Sequence, residues 1–254
     1  LLLPRAMVLE KLSWLVVRGV DEPREAMRMT HFDHRLLATP PIAVSQLFKE
    51  VGRMGELAAR NFKAAMHCFL EEDLTSSKQV MDTEEVLDYL NQEVTDALVE
   101  VKSLDLDDRD QHLVGSLFHV INDLERIGDH SINILEAAQH RKEEKIKFSA
   151  KAEQELDDMH ARVAHMVDQS LRIFNQQLSD PDILAGVENE EQAVDDLTAA
   201  LREHHVDRLK NRKCSARNGM LYLDMLTNLE RIADHANNIA GSVDKPREAS
   251  AWIQ

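Results

Sequence analysis

Two acidic pairs at helical spacing occur twice in this chain. Glu125 and Asp129 lie in "LERIGDHSINI", residues 124–134, and Glu230 and Asp234 lie in "LERIADHANNI", residues 229–239. Eight of the eleven positions are identical, at an offset of 105 residues. A second phrase repeats the spacing: "EEVLDYL", 84–90, carries Glu84 and Asp88, and "EQAVDDL", 191–197, carries Glu191 and Asp195, at an offset of 107. A glutamate and an aspartate four positions apart point the same way from a helix. Two such pairs on adjacent helices would bring four carboxylates together, and these cannot all stay charged without a cation, an arginine or a proton among them.

Helical geometry places the acids more closely. With Glu125 at 0° and roughly 100° per residue, Asp129 falls near +40°, while Leu117, Ile121, Leu124, Ile127 and Leu135 span roughly −160° to −40°. The acids therefore border the apolar stripe, where a carboxylate leaves water and needs a partner. In the second copy Leu223 and Leu226 flank Glu230 and Asp234 in the same way. Asn133 and Asn238 continue the acid line by one turn, suited either to a ligand or bound water or to an interhelical hydrogen bond. His130 and His235 fall about 100° further round and are read as groups at the surface or behind any ligands, rather than as ligands themselves. Arg126 stands three residues from both Asp123 and Asp129 and is expected to pair with one of them.

Six helices must carry these residues. Apolar residues recur at helical spacing from Ile42 to about Glu72, and further helices are expected at about 79–102, 109–139, 150–178, 180–210 and from 216 onward. Thr39 with Pro40 and Pro41, and Ser179 or Asp180 with Pro181, mark two helix starts. The repeat extends beyond the acidic phrases, since Met54 and Phe69 correspond to Met159 and Phe174 at the same offset of 105. The fold expected is all-α: two tandem antiparallel three-helix bundles related by internal duplication and a pseudo-twofold axis. The divisions are 1–40 for a membrane-proximal segment and linker, 41–145 and 146–245 for the bundles, and 246–254 for a tail.

Composition agrees. Of 254 residues only 8 are glycine and 6 proline, and aromatics make up 4%, which suits long helices. Asp and Glu total 46 against 30 Lys and Arg, a net charge of −16, and no basic stripe interrupts it, which excludes nucleic acid as a partner. Cys68 and Cys214 stand far apart in no metal-ligand spacing and read as free thiols. No run of 18 apolar residues is present. The opening "LLLPRAMVLEKLSWLVVRGVDEP" lacks a methionine and reads either as the tail of an apolar segment or as an amphipathic helix on the domain. No histidine has a glutamate three residues before it, which argues against a carboxylate-bridged di-metal oxidase. A structural adaptor with ion-paired acids is the remaining alternative. No convergent basic pocket or glycine-rich phosphate loop is visible.

The doubled "LERIGDH" and "LERIADH", with "EEVLD" and "EQAVD", resemble PhoU-like proteins over about residues 42–242. That resemblance implies a helical, non-catalytic regulator of bacterial phosphate uptake that binds metal ions through Glu84, Asp88, Glu125 and Asp129 in one half and Glu191, Asp195, Glu230 and Asp234 in the other. Oxygen ligands suit magnesium, manganese or calcium, and the resemblance also admits iron or zinc. A narrower similarity joins "LLLPRAMVLEKLSWLV", "FDHRLLATPPIAVSQLFKEVGRMGELA" and "HHVDRLKNRKCSARNGMLYLDMLTNLERIADHANNIA" to the cytoplasmic part of bacterial sodium/phosphate cotransporters. It implies a fragment lying at the inner face of the inner membrane, with the transporter's membrane domain as partner; a free-standing regulator is the alternative. A homodimer is compatible with either.

Overall fold

A computed structural model describes residues 27–243. Six long helices account for nearly all of it: α1 Pro40–Leu70, α2 Ser77–Lys102, α3 Asp108–Glu143, α4 Ala150–Gln176, α5 Pro181–Lys210 and α6 Ala216–Gly241. No strand occurs among the described residues. The helix starts follow local chemistry. Asp107, Ser149, Asp180 and Ser215 each turn a side-chain oxygen onto a backbone N–H of the first turn, and Pro40 and Pro181 open their helices. Thr39 precedes α1 without a side-chain cap bond.

Helices α1, α2 and α3 pack together as one antiparallel bundle and α4, α5 and α6 as the other. Met54, Phe69, Met159 and Phe174, paired by the repeat, are all fully buried. Between the halves α3 packs on α6 and α1 on α4. The contacts there obey the repeat. His130 Nδ1 lies 2.9 Å from Asn228 Oδ1, and His235 Nδ1 lies 2.9 Å from Asp123 Oδ1. Asn133 Nδ2 donates to Asn228 at 3.3 Å, and Asn238 Nδ2 donates to Asp123 at 3.2 Å. Positions 123 and 228, 130 and 235, and 133 and 238 are partners in the duplication, so the bonds exchange under a twofold operation. Lys63 and Asp168, also 105 apart, meet at 2.7 Å. The axis therefore passes between α3 and α6 and between α1 and α4.

This corrects the reading of the two histidines as groups at the surface or behind any ligands. They face each other across the joint, with ring centroids 5.8 Å apart. The asparagines take the interhelical alternative.

Two further differences have local causes. Helix α3 continues to Glu143, past the expected end near 139. Arg141 on that last turn is buried: Nη1 donates to Phe69 O at 2.8 Å, Nη2 pairs with Glu153 at 2.8 Å, and its guanidinium lies over Phe69 and Phe148. A buried arginine with these partners holds the helix to the other half and shortens the joining segment. The segment before α1 is not a loose linker where it is described. It forms a 3-10 turn at His34–Ala38, buries Phe32, and donates Thr30 and His31 N–H groups to the buried carboxylate of Glu50 at 2.9 and 2.7 Å. The expectation that 1–20 belongs to or lies against a membrane falls outside the described residues, as does the tail from 246. No helix among the described residues is long and apolar enough to cross a membrane.

Candidate metal centres

In the first half, Glu84 and Asp88 on α2 face Glu125 and Asp129 on α3. Glu84 reaches furthest in. It lies against Gly128, where a Cβ would come within 2.6 Å of its Oε2. The absence of a side chain at 128 is what lets the carboxylate approach the α3 backbone. Asn61 of α1, itself buried, donates to Glu84 Oε2 at 3.4 Å, and Glu84 Oε1 is buried without a hydrogen-bond partner. Burial, then the charges of Asp88, Asp129 and Glu125, push the Glu84 carboxyl up to about 8. Burial and Asp129 also raise Glu125, with Arg126 opposing. Arg126 pairs with Asp129 at 2.8 Å, the partner expected three residues on.

The orphaned Glu84 oxygen, three more acids close enough to raise its pKa, and a single weak donor make a site short of positive charge. Acids so placed suit a hard divalent cation by chemistry, but among the described residues the oxygens of Glu84, Asp88, Glu125 and Asp129 do not gather within 4.8 Å as a cation would draw them. The protein's other way to relieve the charge is to hold a proton on Glu84.

The second half departs from the first. Glu191, Asp195 and Asp234 bring carboxylate oxygens within 4.8 Å of one another. Glu230 does not join them: Arg202 donates to it at 2.7 Å. The repeat places Thr95 opposite Arg202, so the first half has no such cation. Ala233 replaces Gly128 and Met166 replaces Asn61, so neither the close approach nor the amide donor recurs. Burial first, then Asp195 and Asp234, raise the Glu191 carboxyl. Asp234 is paired to Arg231 at 3.2 Å. Of the three partners open to these acids, arginine serves Glu230 and one oxygen of Asp234, and a proton or a cation is left to serve Glu191 and Asp195.

Arg202 sets the donor count here. Arg202→Thr, which gives α5 the residue that α2 carries, is expected to free Glu230 and to tighten divalent-cation binding in this half about tenfold, on the order of 1.4 kcal/mol. Isothermal titration with manganese chloride checks this; an unchanged affinity would remove Glu230 from the donor set.

A groove of about 1250 Å³ opens between α3, the start of α5 and the end of α6, and none of the eight acids lines it. The carboxylates lie instead on the α2–α3 and α5–α6 seams.

Comparison with known proteins adds the family. The model of the PhoU domain matches twice, at residues 51–138 and 156–243. A phosphate-specific transport system accessory protein PhoU homolog 1 of Thermotoga maritima is 29% identical over 203 residues, covering 78% of this chain and 84% of its own. A phosphate-specific transport system accessory protein PhoU homolog of Synechocystis is 27% identical over 206 residues, covering 79% of this chain and 88% of its own. The crystal structure of PhoU from Pseudomonas aeruginosa superposes with a TM-score of 0.73 at 22% identity, over 82% of this chain and 96% of that one. PhoU from Streptococcus pneumoniae gives 0.71 at 20% identity, over 81% and 95%.

Proposed function

Since the chain belongs to the PhoU domain family, matched once in each half, we propose that it is a non-catalytic, cation-binding regulator of phosphate transport. The carrying observation is the coincidence of the two matched regions with the two carboxylate clusters. The family is one of accessory and regulatory proteins rather than enzymes. The relatives' description as accessory proteins of a phosphate-specific transport system, over 84–88% of their own lengths, supports a free-standing regulator acting on a membrane transporter. In this reading the helical body works at the cytoplasmic face, and the cations brace each α2–α3 or α5–α6 seam.

A finer reading makes the chain the cytoplasmic part of a sodium-dependent phosphate cotransporter. It rests on the motifs at 1–16, 32–58 and 204–240, and residues 1–26 are outside the described structure. The relatives above favour the accessory-protein reading over it.

Disruption of the gene tests the proposal. Uptake of radiolabelled phosphate is expected to change several-fold under phosphate-replete growth and to be restored by the wild-type gene. Unchanged uptake at high and low phosphate would sink the transport role. The size of the native polypeptide separates the two readings: a band near the mass of this chain alone supports the accessory protein, and one large enough for several membrane spans supports the cotransporter. Iron-loaded protein that consumes oxygen would reopen the oxidase alternative.

A further inference from the structure

At the opposite end of the second bundle from the carboxylates, the charge reverses. The C-terminal turns of α5, the start of α6 and the start of α4 enclose a small cleft of about 30 Å³. Lys147, Arg208 and Lys213 line it, with His205, Tyr222 and Asn218, and no acid is among its lining residues. In a chain of net charge −16 this is a local inversion. His205 lies ten residues beyond Asp195 on α5, about 15 Å along the helix, so the cleft is separate from the acid cluster.

His205 is the central observation. It is buried, 1% exposed, and neither ring nitrogen has a hydrogen-bond partner. Its ring stacks on Tyr222, with centroids 5.5 Å apart, and lies against Gly219 in the first turn of α6, where a Cβ would collide with it. Arg208 beside it has a second orphan: Nη1 donates to Glu155 at 2.6 Å, while Nη2 is buried and unpartnered. Burial, then the Arg208 charge, lowers the His205 pKa, so the neutral ring offers one N–H and one acceptor nitrogen. Buried polar groups are almost always satisfied, and the two orphaned donors, that N–H and Arg208 Nη2, point to an occupant that accepts hydrogen bonds.

The surroundings specify its charge. Two helix starts meet here, α4 capped by Ser149 and α6 capped by Ser215, and the Asn218 side chain ties them by donating to Lys147 O at 2.7 Å. Each start directs the positive end of its helix dipole to this region, against the negative end that the last turns of α5 bring to it. Glu155 offsets part of the Arg208 charge and Glu72 holds Lys147, but Lys213 has no ion pair among the described residues.

We propose that this cleft binds a small oxyanion, inorganic phosphate or a phosphate ester being the fitting class, with His205 and Arg208 donating from within and Lys213 closing the rim. The site is independent of the cation centres and of the transport reading. The four segments that build it, 147–152, 205–208, 213–214 and 218–222, correct the expectation that no basic pocket converges.

The test uses the purified chain titrated with sodium phosphate against sodium chloride of equal ionic strength. Thermal unfolding and the His205 ring resonances are followed together. A saturable rise in melting temperature with a shift of the His205 signals is expected at millimolar phosphate. Phenyl phosphate in place of phosphate tells whether an ester is accepted. Lys213→Ala should weaken binding about tenfold, His205→Leu should remove the thermal shift, and Lys63→Ala, remote and exposed, should change neither readout. If His205→Leu does not fold, Lys213→Glu on the exposed rim carries the comparison and should abolish binding. An unmoved His205 signal would mean that the cleft holds water, and equal shifts in the Lys213 and His205 variants and in wild type would place anion binding elsewhere; either outcome overturns the proposal.

Discussion

Protein stripped of divalent cations should lose stability as the pH rises from about 4.5 to about 8, and Glu84→Gln should remove most of that loss. Glu84 is an acid whose folded pKa, about 8, stands above its ordinary value of 4.5. The folded state therefore keeps a proton that the unfolded chain releases, and stability falls with pH wherever the native state binds more protons. The contribution is complete below about 4.5 and is gone above about 8. Taken at face value the shift corresponds to ~5 kcal/mol. Glu84 is only partly withdrawn from solvent, and screening reduces this to about 2–3 kcal/mol. Glu125 and Glu191, raised in the same direction, steepen the same window. Glutamine keeps the shape and can still meet Asn61 and Gly128, but it carries no charge at any pH. At pH 8 with chelator, Glu84→Gln should therefore be the more stable protein by about 2–3 kcal/mol. A divalent cation should flatten the wild-type profile by displacing the proton. Urea unfolding at pH 5, 6.5 and 8 measures this, and identical slopes in the two proteins would assign the proton to another group.

The sequence carried the carboxylate pairs and their border position, because spacing on a helix fixes direction; that the pairs of two helices converge depended on how those helices pack, and Glu230 turns to Arg202 instead. Its limit was the asymmetry between the halves. Nothing in "EQAVDDLTAALRE" marks Arg202 as the residue that takes Glu230; the reach of a long side chain across a seam is a tertiary fact. Gly128 was legible in principle. The repeat aligns it with Ala233, and a glycine inside a helix costs about 1 kcal/mol against alanine. Such a position asks what approaches it, and the answer is Glu84. The pair Asp123 and Asn228 was a similar signal: one position, charged in one half and neutral in the other. Their role at the joint appears only when α3 meets α6.

The fold was readable for a related reason. Caps and apolar periodicity are local, so the six helices and their order follow from the chain itself. The joint was legible only as an expected pseudo-twofold, because the duplication implies symmetry without saying which faces meet. The basic cleft was not legible at all. Its residues come from four segments, and an acidic average conceals a few cations that only packing brings together. Orphaned nitrogens on His205 and Arg208 have no counterpart in sequence.

Asp129→Ala combined with Asp234→Ala is expected to abolish cation-dependent stabilisation altogether. Each aspartate belongs to a different half, and each presents carboxylate oxygen to a seam already crowded with acids. Cation binding to the folded state alone stabilises it by mass action, about 2.7 kcal/mol at a hundredfold excess over the dissociation constant. Wild-type protein should therefore gain melting temperature with manganese or magnesium, lose it with chelator, and carry metal by elemental analysis. The double variant should do none of these. Its helix content should hold, because both side chains are partly exposed, 41% and 32%, and the apolar stripe beneath them is untouched. The ion pairs to Arg126 and Arg231 that are also lost lie at the surface and are worth less than about 1 kcal/mol each. The single variants divide the effect: Asp129→Ala leaves the Glu191, Asp195 and Asp234 cluster intact, and Asp234→Ala leaves Glu84 with its three acidic neighbours. A double variant that responds to cation as wild type does would mean that the acids are a charged border, and the chain would then be a helical adaptor whose carboxylates are relieved by arginine and proton alone.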